Sequence, residues 1–212
     1  MLPPLLPLFP LPTVVLFPGV FLPLHIFEPR YKQMVTKALE GDRIIGMTLL
    51  KPGHEEAYEG RPPVFDLGCA GLITHVERQN DGGFNLILRG LSKFQIDEEE
   101  PPTDGVLYRI AHVTPIDEVV APDDRDVLRD ERRRLETLLA PSLESEGGGS
   151  RLPRDMADDD LVNALSQYLE LEPVEKQALL EREGALARCR TLVELIEMKL
   201  LMQRQPDSGK LH

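Results

Sequence analysis

The sequence is short of positive charge: 24 Lys and Arg stand against 36 Asp and Glu, a formal net charge of −12 at pH 7. The deficit is shared, with 10 basic and 14 acidic side chains over residues 1–116 and 14 and 22 over residues 117–212. Tracking phosphates rests on Lys and Arg displacing counterions, and no aromatic and basic residues interleave, so nucleic acid is excluded as a partner. Cysteine is scarce too. Cys69 and Cys189 lie 120 positions apart with no CxxC or Cys/His spacing, which excludes a disulfide scaffold and fits a reducing compartment. No uninterrupted apolar run reaches the roughly 18 residues of a spanning helix, so no membrane partner is expected. The apolar opening MLPPLLPLFPLPTVVLFPG lacks a basic leading region, and prolines 3, 4, 7, 10 and 12 break the helix that an export signal forms. The chain therefore reads as cytoplasmic.

Catalytic and metal-binding patterns are missing as well. The phosphate loop GxxxxGK[ST] does not occur; the one Gly-Lys pair, Gly209-Lys210, is followed by Leu211. GxSxG and HExxH are absent. The five histidines, at 25, 54, 75, 112 and 212, fall on separate elements without paired ligand spacing, so neither metal nor cofactor is expected. His25 and His75 read as barrel-wall positions among apolar neighbours. Asp97-Glu98-Glu99-Glu100 reads as a solvated strand end and Asp158-Asp159-Asp160 as a helix cap, since neither has the spaced ligands of a calcium loop. Arg132-Arg133-Arg134 reads as a solvated helix face beside Glu131 and Glu136, and Cys69 as a small buried thiol.

What the sequence does have is a change of period. A hydrophobic share of 42% is that of a globular chain, and 212 residues allow one large domain or two small ones. Eight of the 19 prolines fall in the first 30 residues, where Thr13–Phe17 and Val20–Phe27 read as short, edge or bulged strands around a Phe17-Pro18-Gly19 turn. Pro29 starts a helix that Gly41 stops. Arg43–Lys51 is a strand, Leu67–Gln79 and Phe84–Ile96 flank the hairpin signal Asn80-Asp81-Gly82-Gly83, and Tyr108–Ile116 is a further strand. Gly68, Gly71 and Gly90 suggest bends that curl the sheet. About six strands and one helix up to residue 116 suit a small antiparallel barrel.

From residue 117 the period becomes helical. Pro122-Asp123 opens a helix with Val127, Leu128, Leu135, Leu138 and Leu139 as its stripe and Pro141 as its stop. Residues 141–153, with Gly147-Gly148-Gly149, form a flexible connection. Three more helices follow: one after Asp158–Asp160, one from Glu172-Pro173 to near Gly184, and one carrying Leu186, Cys189, Val193, Ile196 and Leu200. Residues 205–212 read as frayed. The expected architecture is α+β, a β-barrel lobe over 1–116 and a helical bundle lobe over 117–212.

Three stretches carry a resemblance. Leu6-Pro7-Leu8-Phe9 and then Val14-Val15-Leu16-Phe17-Pro18-Gly19-Val20-Phe21-Leu22-Pro23-Leu24 are similar to the opening of the N-terminal substrate-recognition domain of the Lon proteases. Gly68-Cys69-Ala70-Gly71-Leu72-Ile73, Asp81-Gly82 and Leu88-Arg89-Gly90-Leu91-Ser92-Lys93-Phe94 resemble that domain's strand, hairpin and GxxRF strand, with Lys93 where the family usually has Arg. Leu161-Val162-Asn163 through Glu175-Lys176-Gln177-Ala178-Leu179-Leu180-Glu181 to Arg188 looks like its helical part.

The resemblance implies a PUA-like barrel followed by helices, and recognition without ATP hydrolysis or proteolysis, because 212 residues leave no room for those modules. It implies no catalytic residues. The partners expected are unfolded or apolar polypeptide segments, with weak homo-oligomer formation as one source of avidity. Leu16, Phe17, Val20, Phe21, Leu22 and Phe27 are the candidate binding residues, against the plainer reading that they fill the core. Two alternatives stand beside this: an adaptor docking on one protease or chaperone, and a small-molecule or enzyme site between the lobes formed by His25, Arg30, Tyr31 and His75.

Overall fold

The computed structural model describes residues 2–54, 56, 58, 60–119, 121–145, 153 and 155–204. The chain is α+β, in the order β1 (Leu5–Leu11), β2 (Phe21–Ile26), α1 (Pro29–Leu39), β3 (Ile44–Leu49), β4 (Leu67–Arg78), β5 (Phe84–Glu99), β6 (Arg109–Ile116), α2 (Asp124–Ser145), α3 (Asp158–Tyr168), α4 (Pro173–Leu180) and α5 (Gly184–Arg204). It divides into two compact units: Met1–Asp117 with Asn163–Glu181, and Glu118–Val162 with Arg182–His212.

In the first unit the length of β5 organises the sheet. One edge of β5 pairs with β4, while its other edge serves β2 over Phe84–Arg89 and β6 over Lys93–Glu99. The strand order β2-β5-β4-β3-β1-β6 therefore closes on itself through β5 and β6, and β2 stands outside the ring with a free edge. Register shifts at Cys69/Gly71 and Ile73/His75 supply the bends that the glycines suggested. The hairpin forms at the expected place, with Gly82 at φ 80° and the Asp81 carboxylate accepting from the Gly83 amide at 2.9 Å. Leu6, Leu8, Ala70, Phe94, Ala111 and Val113 make a buried cluster.

Two expectations are corrected here. The sheet is not wholly antiparallel, because β1 runs parallel to β3; the intervening β2 and α1 provide the long crossover that a parallel pair needs. The first strand is Leu5–Leu11, with Pro7 and Pro10 inside it, and Thr13–Phe17 is irregular. Prolines are tolerated in this interior strand because its two ladders are offset. Residues 5–8 pair with β6 and residues 8–11 with β3. The Pro4 carbonyl accepts from Val113 and the Leu11 carbonyl from Leu50, so even positions face β6 and odd ones β3. Pro7 thus directs its missing donor toward β3 before that ladder begins, and Pro10 toward β6 after that ladder has ended.

The segment Asn163–Glu181, expected with the helices, satisfies backbone groups of the sheet unit. Asn163 Nδ2 donates to the Pro18 carbonyl at 3.1 Å, Tyr168 Oη to Phe21 at 2.6 Å, and Gln177 Nε2 to Leu67 at 3.0 Å. The Gln167 side chain accepts from the Phe17 amide, and buried Lys93 donates to the Leu180 carbonyl at 3.0 Å. Unpaired buried backbone groups are costly, so these side chains tie the segment to the strands they serve.

In the second unit α2 packs on α5, burying Leu128, Leu135 and Leu139 of one and Cys189, Leu192, Val193 and Ile196 of the other. Val127, expected in the stripe, is exposed. Pro141, expected to stop the helix, lies inside it, and α2 runs on to Ser145. Arg132 is not on a solvated face: it is buried and bonded to Glu136, Asp158 and the carbonyls of Met156 and Pro153. The flexible connection at 141–153 falls largely, and the frayed tail at 205–212 wholly, outside the described residues.

Candidate functional site

Two features of the sheet unit offer surface to a ligand. The first is the outer face of β2. Alternation along the strand turns Leu22, Leu24 and Ile26 toward the interior and Phe21, Pro23 and His25 outward. Phe21 is 51% and Phe27, past the other end of the strand, 62% exposed, and Tyr168, whose hydroxyl holds the Phe21 carbonyl, is exposed at the Phe21 end. His25 Nδ1 lies 2.7 Å from Asn85 Oδ1 and its ring stacks on Phe27 at 5.9 Å between centroids. His75, opposite Ile87 on the next strand but one, is also exposed.

Half of the sequence-derived binding set lies elsewhere. Leu16, Phe17 and Val20 are buried and present no docking surface; Leu22 is half-buried. The reason is local. The Phe17 amide is bonded to Gln167, and the Phe17 carbonyl lies against Gly90, which leaves residues 15–17 pressed into the core. Nor does the free edge of β2 invite an added strand: Tyr168 occupies the Phe21 carbonyl and Pro23 has no amide to give. Contact there is through side chains.

The second feature is a cavity of about 200 Å³ lined by Leu8, Pro10, Arg30, Tyr31, Gly60, Arg61, Pro102, Val106, Leu107, Tyr108 and Arg109. The Arg30 guanidinium is held between two rings, 4.5 Å from the centre of Tyr31 and 4.4 Å from that of Tyr58. Its Nε donates to Glu28 at 3.0 Å and its Nη1 to the Tyr58 carbonyl at 2.8 Å; Tyr58 Oη donates to the same Glu28 at 3.0 Å. Burial, helped by hydrogen bonding with Tyr58, pushes the Tyr31 phenol up, and burial raises Tyr58, so both stay neutral. Arg109 grips Glu99 with Nε at 2.8 Å and with Nη2, and Arg61 Nη2 reaches the same carboxylate at 3.0 Å. Burial pulls Glu99 upward, but its bonds to Arg109 and Arg61 outweigh that and hold it below its ordinary 4.5.

This pairing has a pH signature. A carboxyl held low in the folded state stabilises it above the unfolded value and loses that stabilisation as pH falls through the folded value. Stability is therefore expected to drop below about pH 4.5 as Glu99 takes up a proton. Glu99→Gln is expected to melt lower at pH 7 and to show a flatter decline under acid. Thermal melts from pH 7 to about pH 3 check this.

Arg30 and Tyr31, two of the four cleft candidates, line this cavity; His25 and His75 do not, and belong to the outer sheet face. Among the described residues no three His, Cys, Asp or Glu side chains approach closely enough to hold a metal ion, and no helix is long and apolar enough to cross a membrane.

A family model for the substrate-binding domain of ATP-dependent protease La (Lon) matches residues 5–198. The chain belongs to this family. The Lon protease of Flavobacterium johnsoniae is 27% identical over 209 residues, which cover 94% of this chain and 24% of that protein. That of Cytophaga hutchinsonii is 24% identical over 204 residues, 94% and 25% of the two chains. The chain thus spans about a quarter of the length of these Lon relatives. Its fold is similar to the crystal structure of a Lon N-terminal domain protein from Xanthomonas campestris, with a TM-score of 0.57 at 23% identity, covering 95% of this chain and 99% of that one. It is also similar to the N-terminal domain of Mycobacterium avium complex Lon protease, with a TM-score of 0.66 at 18% identity, covering 91% and 98%.

Within this Lon-family fold, sequence reasoning missed Tyr58, Arg61, Tyr108, Arg109 and Tyr168 as surface or cavity residues. Each is a single polar residue in an unremarkable stretch, brought to its place by pairings between distant segments. The one usable signal was Tyr168, an aromatic at the last position of a helix whose stripe was otherwise aliphatic.

Proposed function

We propose that the chain is a polypeptide-binding module that captures exposed apolar segments and performs no bond-breaking of its own. The observation that supports this most is the pair of phenylalanines left open at the two ends of the outermost strand, Phe21 and Phe27, with Tyr168 at the Phe21 end. Exposed apolar groups are common singly, but three aromatic rings around one strand mark a binding face. The family's substrate-binding description points the same way. Phe21 and Phe27 carry the contact, and Leu22 its rim.

Such contact is weak by itself. About 400 Å² of apolar surface at roughly 25 cal/mol/Å² gives on the order of 10 kcal/mol gross. Association costs roughly 4–15 kcal/mol, so millimolar to micromolar binding results and avidity from self-association is needed for firm capture. Both cysteines are buried, and two buried thiols 120 positions apart suit work in a reducing compartment such as the cytoplasm.

The test is capture of a permanently unfolded, carboxymethylated protein against its folded parent. The unfolded form is expected to bind preferentially, and Phe21→Ser with Phe27→Ser to weaken it roughly tenfold without loss of helix or sheet signal. Equal capture by the double variant would refute the reading.

A further inference from the structure

The cavity beside α1 has a charge pattern that polypeptide capture on β2 does not use. Its charged lining, among the described residues, is three arginines, Arg30, Arg61 and Arg109, in a chain whose net charge is −12. Their carboxylate partners, Glu28 and Glu99, are two, and neither lines the cavity. Glu100, next to Glu99, is engaged by His112 at 2.7 Å. The arginines and those two partners leave one positive charge in excess.

Donors remain as well as charge. Arg109 spends Nε and Nη2 on Glu99 and Nη1 on the Pro62 carbonyl at 2.7 Å. Arg61 uses Nη2 for Glu99 and for the Glu100 carbonyl at 2.8 Å, and its Nε and Nη1 have no partner among the described residues. The Tyr108 hydroxyl also has no partner among the described residues. Beside these donors the lining also includes apolar Leu8, Pro10, Pro102, Val106 and Leu107. A cavity of about 200 Å³ is enough for a branched aliphatic group carrying one acidic head.

We propose that this cavity is a carboxylate-binding site for a monoanion with a small apolar body, its oxygens bonded by Arg61 and Tyr108 and its alkyl part set against Val106 and Leu107. One excess charge matches a carboxylate better than a phosphate dianion, and the apolar residues among the lining give an alkyl body a place to pack. The site stands independently of the polypeptide reading. The same chemistry is offered by a free organic acid and by a chain terminus that ends in an aliphatic residue.

The probes are N-acetyl-leucine, N-acetyl-leucinamide, inorganic phosphate, and a ten-residue peptide ending in leucine as free acid or as amide, titrated into the full chain by NMR. N-acetyl-leucine is expected to shift the Arg61 side chain and the Leu107 and Tyr108 amides, and to bind at least tenfold more tightly than its amide or phosphate. Arg61→Gln is expected to weaken it at least fivefold. Leu107→Asp, at an exposed position on the rim, is expected to do the same by repulsion. Binding of the free-acid peptide assigns the site to chain termini; binding of N-acetyl-leucine alone assigns it to small acids. Equal binding of acid and amide, phosphate binding as tightly, shifts confined to β2, or no loss in either variant would overturn the proposal.

Discussion

Gly90→Ala is expected to destabilise the sheet unit by roughly 3 kcal/mol or more, the upper range for overpacking a filled interior. A Cβ at this position would run into the Phe17 carbonyl oxygen and come within 2.8 Å of the Phe17 carbonyl carbon and 3.1 Å of Pro18 Cα. All three are backbone atoms, and they are fixed: the Gly19 amide bonds to the Gly90 carbonyl at 3.0 Å, and the Gly90 amide to Val20 at 2.9 Å. No side chain can rotate away. The strand must part from the 17–20 turn, which would also loosen the base of β2 and so the binding face. A fall of roughly 6–12 °C in melting temperature follows from the size of the chain. Gly41→Ala is the control, since a Cβ there meets only the Ala38 carbonyl at 4.0 Å, and a near-wild-type melt is expected. Equal melts for the two variants would show that the close approach at Gly90 is not needed.

Glu118→Ala is expected to cost the helical unit about 3–5 kcal/mol, the range for breaking a buried ion pair by deleting one partner. Arg188 on α5 is fully buried, and its Nη2 donates to Glu118 Oε1 at 2.7 Å and Oε2 at 2.9 Å. Glu118 also accepts from the Gly184 amide at 3.1 Å, at the start of the same helix. Removing the carboxylate takes the Nη2 acceptor from a guanidinium that cannot leave its site without unpacking α5, and frees a helix-start donor. Glu118→Gln keeps an acceptor and is expected to lose less. Glu118→Gln with Arg188→Met removes both charges and is expected to recover much of the loss. Urea denaturation followed by the helix signal reads these differences. A Glu118→Ala chain as stable as wild type would mean that the pair contributes nothing to holding α5.

The parts of the fold legible in the sequence are those that local chemistry decides. Asn80-Asp81-Gly82-Gly83 needs only turn geometry to make its hairpin, and Glu28-Pro29 and Glu172-Pro173 need only a proline's fixed φ to start their helices. What misled was chemistry whose sign depends on pairing. Pro7 and Pro10 argue against a strand unless the ladders on either side are known to be offset. Thr13–Phe17 has the composition of a strand, yet the Phe17 amide goes to Gln167 and the Phe17 carbonyl lies against Gly90. The segment 163–181 has helical period, which says nothing of the bonds that Asn163, Tyr168 and Gln177 make to backbone carbonyls of the sheet unit. Of the six candidate residues Phe21 and Phe27 are exposed, Leu22 is half-buried and Leu16, Phe17 and Val20 are buried, because composition does not say which side of a proline-rich turn faces water. The arginine cavity was half legible: Arg30 and Tyr31 are neighbours on α1, but Arg61 and Arg109 reach Glu99 only through folding.

The most direct measurement is photo-crosslinking from the β2 face. p-Benzoylphenylalanine placed at Phe21 or Phe27 is set against the same probe at Val119, an exposed position in the helical unit, each irradiated with an unfolded client and with its folded parent. The expected result is adducts from positions 21 and 27 with the unfolded client alone and none from 119. Absence of adducts at 21 and 27, or equal yields from all three positions, would contradict capture of apolar segments on this strand.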